Sequence, residues 1–124
     1  GVCESWMTPA LFLSVAFIAG SVISFFTGSS WGTFAICIPI AVPMAYSFTG
    51  GQLGTLVYAA VGAVVSGGLF GDHCSPVSDT TVLSSLGAAC DHIDHVRTQL
   101  PYALLAAAVS IILWIVVALV GGAV

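Results

Sequence analysis

The sequence predicts an all-α membrane protein: about four transmembrane helices with two broken or re-entrant segments, in one transmembrane domain over residues 1–124. Composition is the first observation behind that fold class. Of 124 residues, 59% are hydrophobic and only 5% charged, with a mean hydropathy of +1.15. Soluble domains carry about a quarter charged residues. The second observation is a set of apolar runs close to the roughly 20 residues that a helix needs to cross about 30 Å of hydrocarbon. The third is that polar strings rich in Gly, Pro, Ser and Thr interrupt those runs. Backbone outside a helix is tolerated at membrane depth only where protein buries it or water reaches it.

Taken in order, the first span runs from about Thr8 to Phe26, with Pro9 suited to its first turn. Residues 27–33 (TGSSWGT) then interrupt the apolar pattern. Phe34 to Phe48 is short for a crossing and contains Pro39 and Pro43, each of which removes a backbone donor, so a kinked or broken helix is expected. Residues 49–52 (TGGQ) read as a turn. Leu53 to Phe70 forms a second span, rich in the small residues that let membrane helices approach closely. The second polar interruption begins at Gly71. Within it, Val82 to Cys90 is long enough only for a half-helix. Pro101 to Val120 is the last span. Orientation needs loop Lys and Arg, and a single Arg does not supply it.

Charge is concentrated in one place. Residues 71–99 hold four of the five acidic residues (Asp72, Asp79, Asp91, Asp94), the only basic residue (Arg97) and all three histidines (His73, His92, His95). A charged group at the bilayer centre costs about 2.5–3.5 kcal/mol even on translocon scales, and such groups mark ion or substrate paths. The net charge of −4 therefore describes a site, and with no Lys it excludes nucleic-acid binding. The four cysteines form no CxxC pair and read as reduced, buried small residues. An HExxH-type motif is absent, which argues against an intramembrane metalloprotease. The opening GVCESWM lacks a basic n-region and an initiator Met, as expected of a piece cut from a longer transporter.

Two groups of residues are candidates for chemistry. In residues 75–81 (SPVSDTT), Asp79 with Ser78, Thr80 and Thr81 offers one carboxylate and several hydroxyls, which suits a hard cation that prefers oxygen. Ser29, Ser30 and Thr33 of the other interruption would complete the shell, with Na⁺ held at Asp79. Helix capping by Ser78 or Asp79 is the plainer alternative. Asp72 would join this site if the chain brought it near, because neighbouring carboxylates raise one another's affinity for protons. A proton and a cation would then compete for one group. The second group, Asp91, His92, Asp94, His95 and Arg97 with His73, reads as a charge network or proton relay. Zinc is a weaker reading, since the spacing matches no strong zinc pattern. No cofactor is expected beyond the transported Na⁺ and H⁺.

Residues 71–104 (GDHCSPVSDTTVLSSLGAACDHIDHVRTQLPYAL) resemble the C-terminal region of the NhaC-type Na⁺/H⁺ antiporters of the ion transporter superfamily, and residues 27–45 resemble the segment before it. The resemblance implies an inverted-repeat secondary transporter with ion sites at broken helices, in a bacterial or archaeal cytoplasmic membrane. It implies Na⁺/H⁺ exchange, or malate/lactate-type organic-acid exchange on the same scaffold, with Asp79, Ser78, Thr80 and Thr81 at the ion site. Relatives of that kind have around a dozen spans. This chain would then need further segments, or further copies of itself, to make a pathway, and alone it would be a non-transporting fragment.

Overall fold

A computed structural model describes residues 7–121. Among them are five helices: α1 (Pro9–Thr27), α2 (Ser30–Phe48), α3 (Thr55–Cys74), α4 (Asp79–Gly87) and α5 (His92–Gly121). All but α4 are long and apolar enough to cross a membrane. Glu4, Trp6 and Cys3 lie outside the described residues, and so does the expectation that Trp6 marks an interface.

Local chemistry sets the helix ends. Thr8 caps α1, its Oγ1 accepting from the Leu11 N–H at 3.3 Å, and Pro9 follows where its missing donor costs nothing. Gly28 ends α1 in the left-handed region (φ 66°), and Ser29 at once caps α2 by accepting from Gly32 N–H. The interruption expected over residues 27–33 is therefore only the Gly28–Ser29 corner.

The broken helix expected at Phe34–Phe48 is not found: α2 runs unbroken with both prolines inside it. Pro39 and Pro43 both lie on its exposed side. Two other boundaries move. The half-helix starts at Asp79 rather than Val82 and ends at Gly87. The last helix starts at His92 and carries Pro101 inside it, so the charged stretch from His92 to Arg97 is an extension of the final span. Asp91 makes that extension possible, its Oδ1 accepting from the N–H groups of Ile93 (2.9 Å) and Asp94 (3.3 Å).

Helix α3 lies at the centre, against α1, α2, α4 and α5. Its seam with α1 is set by glycine. A Cβ on Gly67 would overlap the Phe17 carbonyl, and one on Gly71 would overlap the Ser21 carbonyl and the Phe25 amide. The Gly67…Gly71 spacing thus serves the close packing of helices within the chain that its small residues allow. Phe12, Leu13, Phe17, Ala60, Ala63 and Val64 fill the core around this seam. Trp114 of α5 packs over Gly62 and donates its Nε1–H to Ser66 Oγ at 3.1 Å. Trp31 is 82% exposed, its ring centroid 6.2 Å from that of Phe34. Cys74 is buried and Cys37 half-buried, but Cys90 is exposed, against the expectation of burial for all.

The bundle has two unlike ends. One gathers the α1/α2 corner, the end of α3, α4 and the start of α5. The other gathers Pro9, Phe48, Thr55 and Gly121 around a cavity of about 230 Å³.

Candidate functional site

The two interruptions meet. A Cβ on Gly28 would come within 2.8 Å of the Val77 carbonyl, so the α1/α2 corner and the stretch between α3 and α4 touch backbone to backbone. Hydroxyls tie this junction together. Ser75 Oγ donates to the Phe25 carbonyl near the end of α1 at 2.7 Å, and Ser24 Oγ donates to the Gly68 carbonyl at 2.6 Å. Ser24, Ser75, Ser78 and Thr33 are all fully buried. Buried hydroxyls without partners would be costly, so these bonds fix the geometry as well as satisfy it.

The carboxylate at the centre of the junction is Asp72. Its Oδ1 accepts from Ser78 Oγ at 2.7 Å, and its Oδ2 lies 3.4 Å from Ser30 Oγ. Ser30 comes from the first interruption and Ser78 from the second. Ser78 occupies the N-cap position of α4, yet its side chain makes no capping bond and turns to Asp72 instead. Thr80 Oγ1 lies 2.8 Å from Ser78 Oγ, and because Ser78 spends its hydrogen on Asp72, Thr80 is the donor there. Asp72 thus meets two hydroxyls, with that of Thr80 behind Ser78, and the N-terminal ends of both α2 and α4 bring positive dipole ends to the same place. Hydroxyls, and not His73 or Arg97, engage its oxygens.

Asp79 is placed differently. It is the exposed first residue of α4, and its Oδ1 accepts from the next N–H, that of Thr80, at 2.8 Å. Thr81 is buried and donates to the His73 carbonyl at 3.3 Å. Thr33 donates to the Ser29 carbonyl, and Ser29 serves as the α2 cap. Of the residues read from sequence as ion ligands, Asp72, Ser30, Ser78 and Thr80 therefore come together. Asp79, Thr81, Ser29 and Thr33 border them.

The second group does not form one cluster. Asp91 caps α5, and Asp94 and Arg97 are exposed. His73 meets Gln99 of α5, their Nε2 atoms 2.5 Å apart, which requires Gln99 to donate and His73 to accept. The two line a cleft of about 360 Å³ with Phe17, Ser66, Tyr102 and Ser110. His92 turns inward instead, its Nε2 2.6 Å from the Pro76 carbonyl and its Nδ1 3.2 Å from Ser85 Oγ. Among the described residues, no three His, Cys, Asp or Glu side chains converge as a metal centre would require. Ser24, Ser85 and Gln99 were not singled out from sequence. Each is one polar residue in an apolar or mixed helix, and only the partner across the bundle reveals its role.

Residues 2–119 match the Na⁺/H⁺ antiporter family. The chain belongs to that family. An uncharacterized protein of Haemophilus influenzae is 52% identical over 110 residues, which is 88% of this chain and 20% of the relative. The malate-2H⁺/Na⁺-lactate antiporter of Bacillus subtilis is 37% identical over 92% of this chain and 23% of the relative. The Na⁺/H⁺ antiporter NhaC of Alkalihalophilus pseudofirmus is 32% identical over 91% of this chain and 23% of the relative. The chain therefore spans about a fifth of the length of the relatives it matches. No solved structure matches it. Membership in an antiporter family and four membrane-length helices make it an integral membrane protein. The NhaC-type resemblance read from residues 71–104 agrees with these relatives.

Proposed function

We propose that this chain supplies part of the ion site of a Na⁺/H⁺ antiporter, and that Asp72 is the carboxylate for which Na⁺ and H⁺ compete. One observation carries the reading: hydroxyls from both interruptions converge on Asp72, the one carboxylate set between them. A bare carboxylate in a membrane protein is costly, and either a proton or a cation removes the cost. With H⁺ bound, Asp72 keeps its hydroxyl partners as a neutral acid. With Na⁺ bound, the hydrogens of Ser30, Ser78 and Thr80 rotate away and their oxygens join the carboxylate as ligands. Further oxygens come from segments beyond this chain. The two states exclude each other at one group, which is the least that an exchanger requires.

Organic-acid exchange on the same scaffold is a second reading, favoured by the malate/lactate relative. That relative's name also includes both Na⁺ and H⁺, so the Asp72 reading serves either substrate.

The test is a pair of variants in the full transporter, reconstituted in proteoliposomes with a preset pH gradient. Asp72→Asn should abolish Na⁺-triggered proton movement while the protein still inserts. Asp79→Asn should retain most of it. The opposite ranking would return the site to Asp79. Loss of Na⁺ response in neither variant would remove both from the mechanism.

A further inference from the structure

We propose that Ser75 is a positioning residue that sets the size of the Asp72 site, and with it a preference for Na⁺ over the larger K⁺; this rests on the reading of Asp72 given above. Every polar group of Ser75 is in use, and each bond ends on a part of the junction. Its N–H donates to the Asp72 carbonyl at 3.3 Å, and its carbonyl accepts from the Ser78 N–H at 3.4 Å. Its Oγ donates to the Phe25 carbonyl at 2.7 Å and accepts from the Val77 N–H at 3.3 Å. A carbonyl has no hydrogen to give, so Ser75 must be the donor to Phe25. The residue is fully buried, where losing that partner would be costly.

Phe25 stands in the last turn of α1, where carbonyls lack a partner within their own helix. Just beyond it the Gly28–Ser29 corner leads into α2 and to Ser30. The Ser75–Phe25 bond therefore joins the stretch that carries Ser78 to the corner that leads to Ser30. Those two residues supply the hydroxyls that meet Asp72, 2.7 Å from its Oδ1 and 3.4 Å from its Oδ2. Asp72 is attached to the same knot through its own carbonyl. The Ser75 hydroxyl itself bonds main-chain groups of Phe25 and Val77, so it spaces the ligands without being one of them.

Sites built from oxygen ligands tell hard cations apart by cavity size, ligand number and flexibility. Admitting K⁺ requires Ser30 and Ser78 to move apart, and the Ser75–Phe25 bond opposes that movement. Gly28 adds a second point of contact, because a Cβ there would come within 2.8 Å of the Val77 carbonyl and 3.1 Å of the Ser78 amide. The corner and the stretch are thus held together by one hydrogen bond and one close backbone approach. Removing the Ser75 hydroxyl releases the first of these and leaves Asp72, Ser30, Ser78 and Thr80 unaltered as ligands. Na⁺ then loses a cage preorganised to its size, while K⁺ loses an obstacle. The preference narrows although no ligand has been removed.

The experiment measures Na⁺ and K⁺ binding to the full transporter in lipid, native and variant. Ser75→Ala should weaken Na⁺ binding about fivefold, the worth of one hydrogen bond, and leave K⁺ binding unchanged or stronger. Ser75→Cys fills the same space with a weaker donor, so its ratio of Na⁺ to K⁺ affinity should fall between native and Ser75→Ala. It also carries the test should Ser75→Ala fail to fold. Ser21→Ala is the matched control: Ser21 is buried and donates to the Phe17 carbonyl at the same 2.7 Å, but within α1. That variant should keep the native ratio. Equal loss of Na⁺ and K⁺ binding in Ser75→Ala would mean that the hydroxyl only stabilises the fold, and it overturns the inference. So does an equal shift of the ratio in Ser21→Ala, or a native protein that binds K⁺ as well as Na⁺. Native Na⁺ binding in Asp72→Asn overturns the ion-site reading instead, and the two failures are separate.

Discussion

The two ends of this bundle are built from the same helices and do different work. At one end, residues 49–54 join α2 to α3 as an ordinary turn. Gly50 and Gly51 adopt φ values of 69° and 86°, and a Cβ on either would meet nothing within 4 Å. Thr49 Oγ1 closes the turn by donating to the Gln52 carbonyl at 2.7 Å. At the other end, Gly28 also has positive φ, but there the space is taken by the Val77 backbone. Hydroxyls at that end bond across the bundle, over 44 and 50 residues of sequence, and reach a carboxylate. A turn satisfies its own polar groups locally. A site holds its polar groups through partners brought from elsewhere, so disturbing those partners should cost far more. The largest effect is expected at Gly71, where even a methyl group overlaps the α1 backbone. Gly71→Ala should force α1 and α3 apart, cost about 3 kcal/mol of stability and remove Na⁺ response. Gly50→Ala, which meets no atom, should cost only about 1 kcal/mol through its backbone angle. Thermal unfolding in detergent alongside proteoliposome assays would measure both.

Much of this architecture was legible from sequence. Three of the four membrane-length helices followed from apolar run length, and the charged end followed from where charge collected. Boundaries were less legible, because prolines were weighed as breaks. In α2 and α5, Pro39, Pro43 and Pro101 stand inside continuous helices, since each proline removes one donor while the remaining ladder holds. The site was half legible. Ser30, Ser78 and Thr80 could be named from composition alone, but the choice between Asp72 and Asp79 could not. It depends on the α1–α3 seam, which sets Asp72 of α3 against the α1/α2 corner while Asp79 begins a separate helix facing outward. Nothing within the string of residues 72–79 encodes that difference.

Smaller effects sharpen the comparison. Ser78→Ala removes the 2.7 Å donor to Asp72 and leaves the α4 backbone otherwise intact, because that side chain makes no capping bond. In the proposed Na⁺-bound state Ser78 Oγ is one of the oxygen ligands, so its removal should lower Na⁺ affinity by about tenfold. Thr49→Ala at the opposite end should leave Na⁺ affinity unchanged and cost about 1 kcal/mol of stability. If Thr49→Ala changes affinity as strongly as Ser78→Ala, the distinction between a turn and a site fails. Proton competition gives a second mark. Apparent Na⁺ affinity should fall as pH is lowered, because H⁺ takes Asp72, and the dependence should survive Asp79→Asn.

The smallest effect is expected where the functional end itself contains a turn. Ala89, just after α4, has φ 52°, a left-handed conformation that alanine adopts at a cost. Its position is secured by the chain reversal after α4, in which the Ala88 N–H bonds the Ser84 carbonyl at 3.0 Å and the Cys90 N–H bonds the Ser85 carbonyl at 3.1 Å. Glycine would take the same angle without the Cβ penalty. Ala89→Gly should therefore stabilise the protein by up to about 1 kcal/mol, less whatever the looser unfolded chain takes back. It should leave Na⁺ affinity alone, since the exposed Ala89 is not among the groups bonded to Asp72, Ser78 or Thr80. A rise in melting temperature without a change in affinity would mean that the α4–α5 turn is strained but separate from the ion site. A change in affinity would mean that strain in this turn is transmitted through Ser85 and His92 to the interruption, and that the functional end works as one unit.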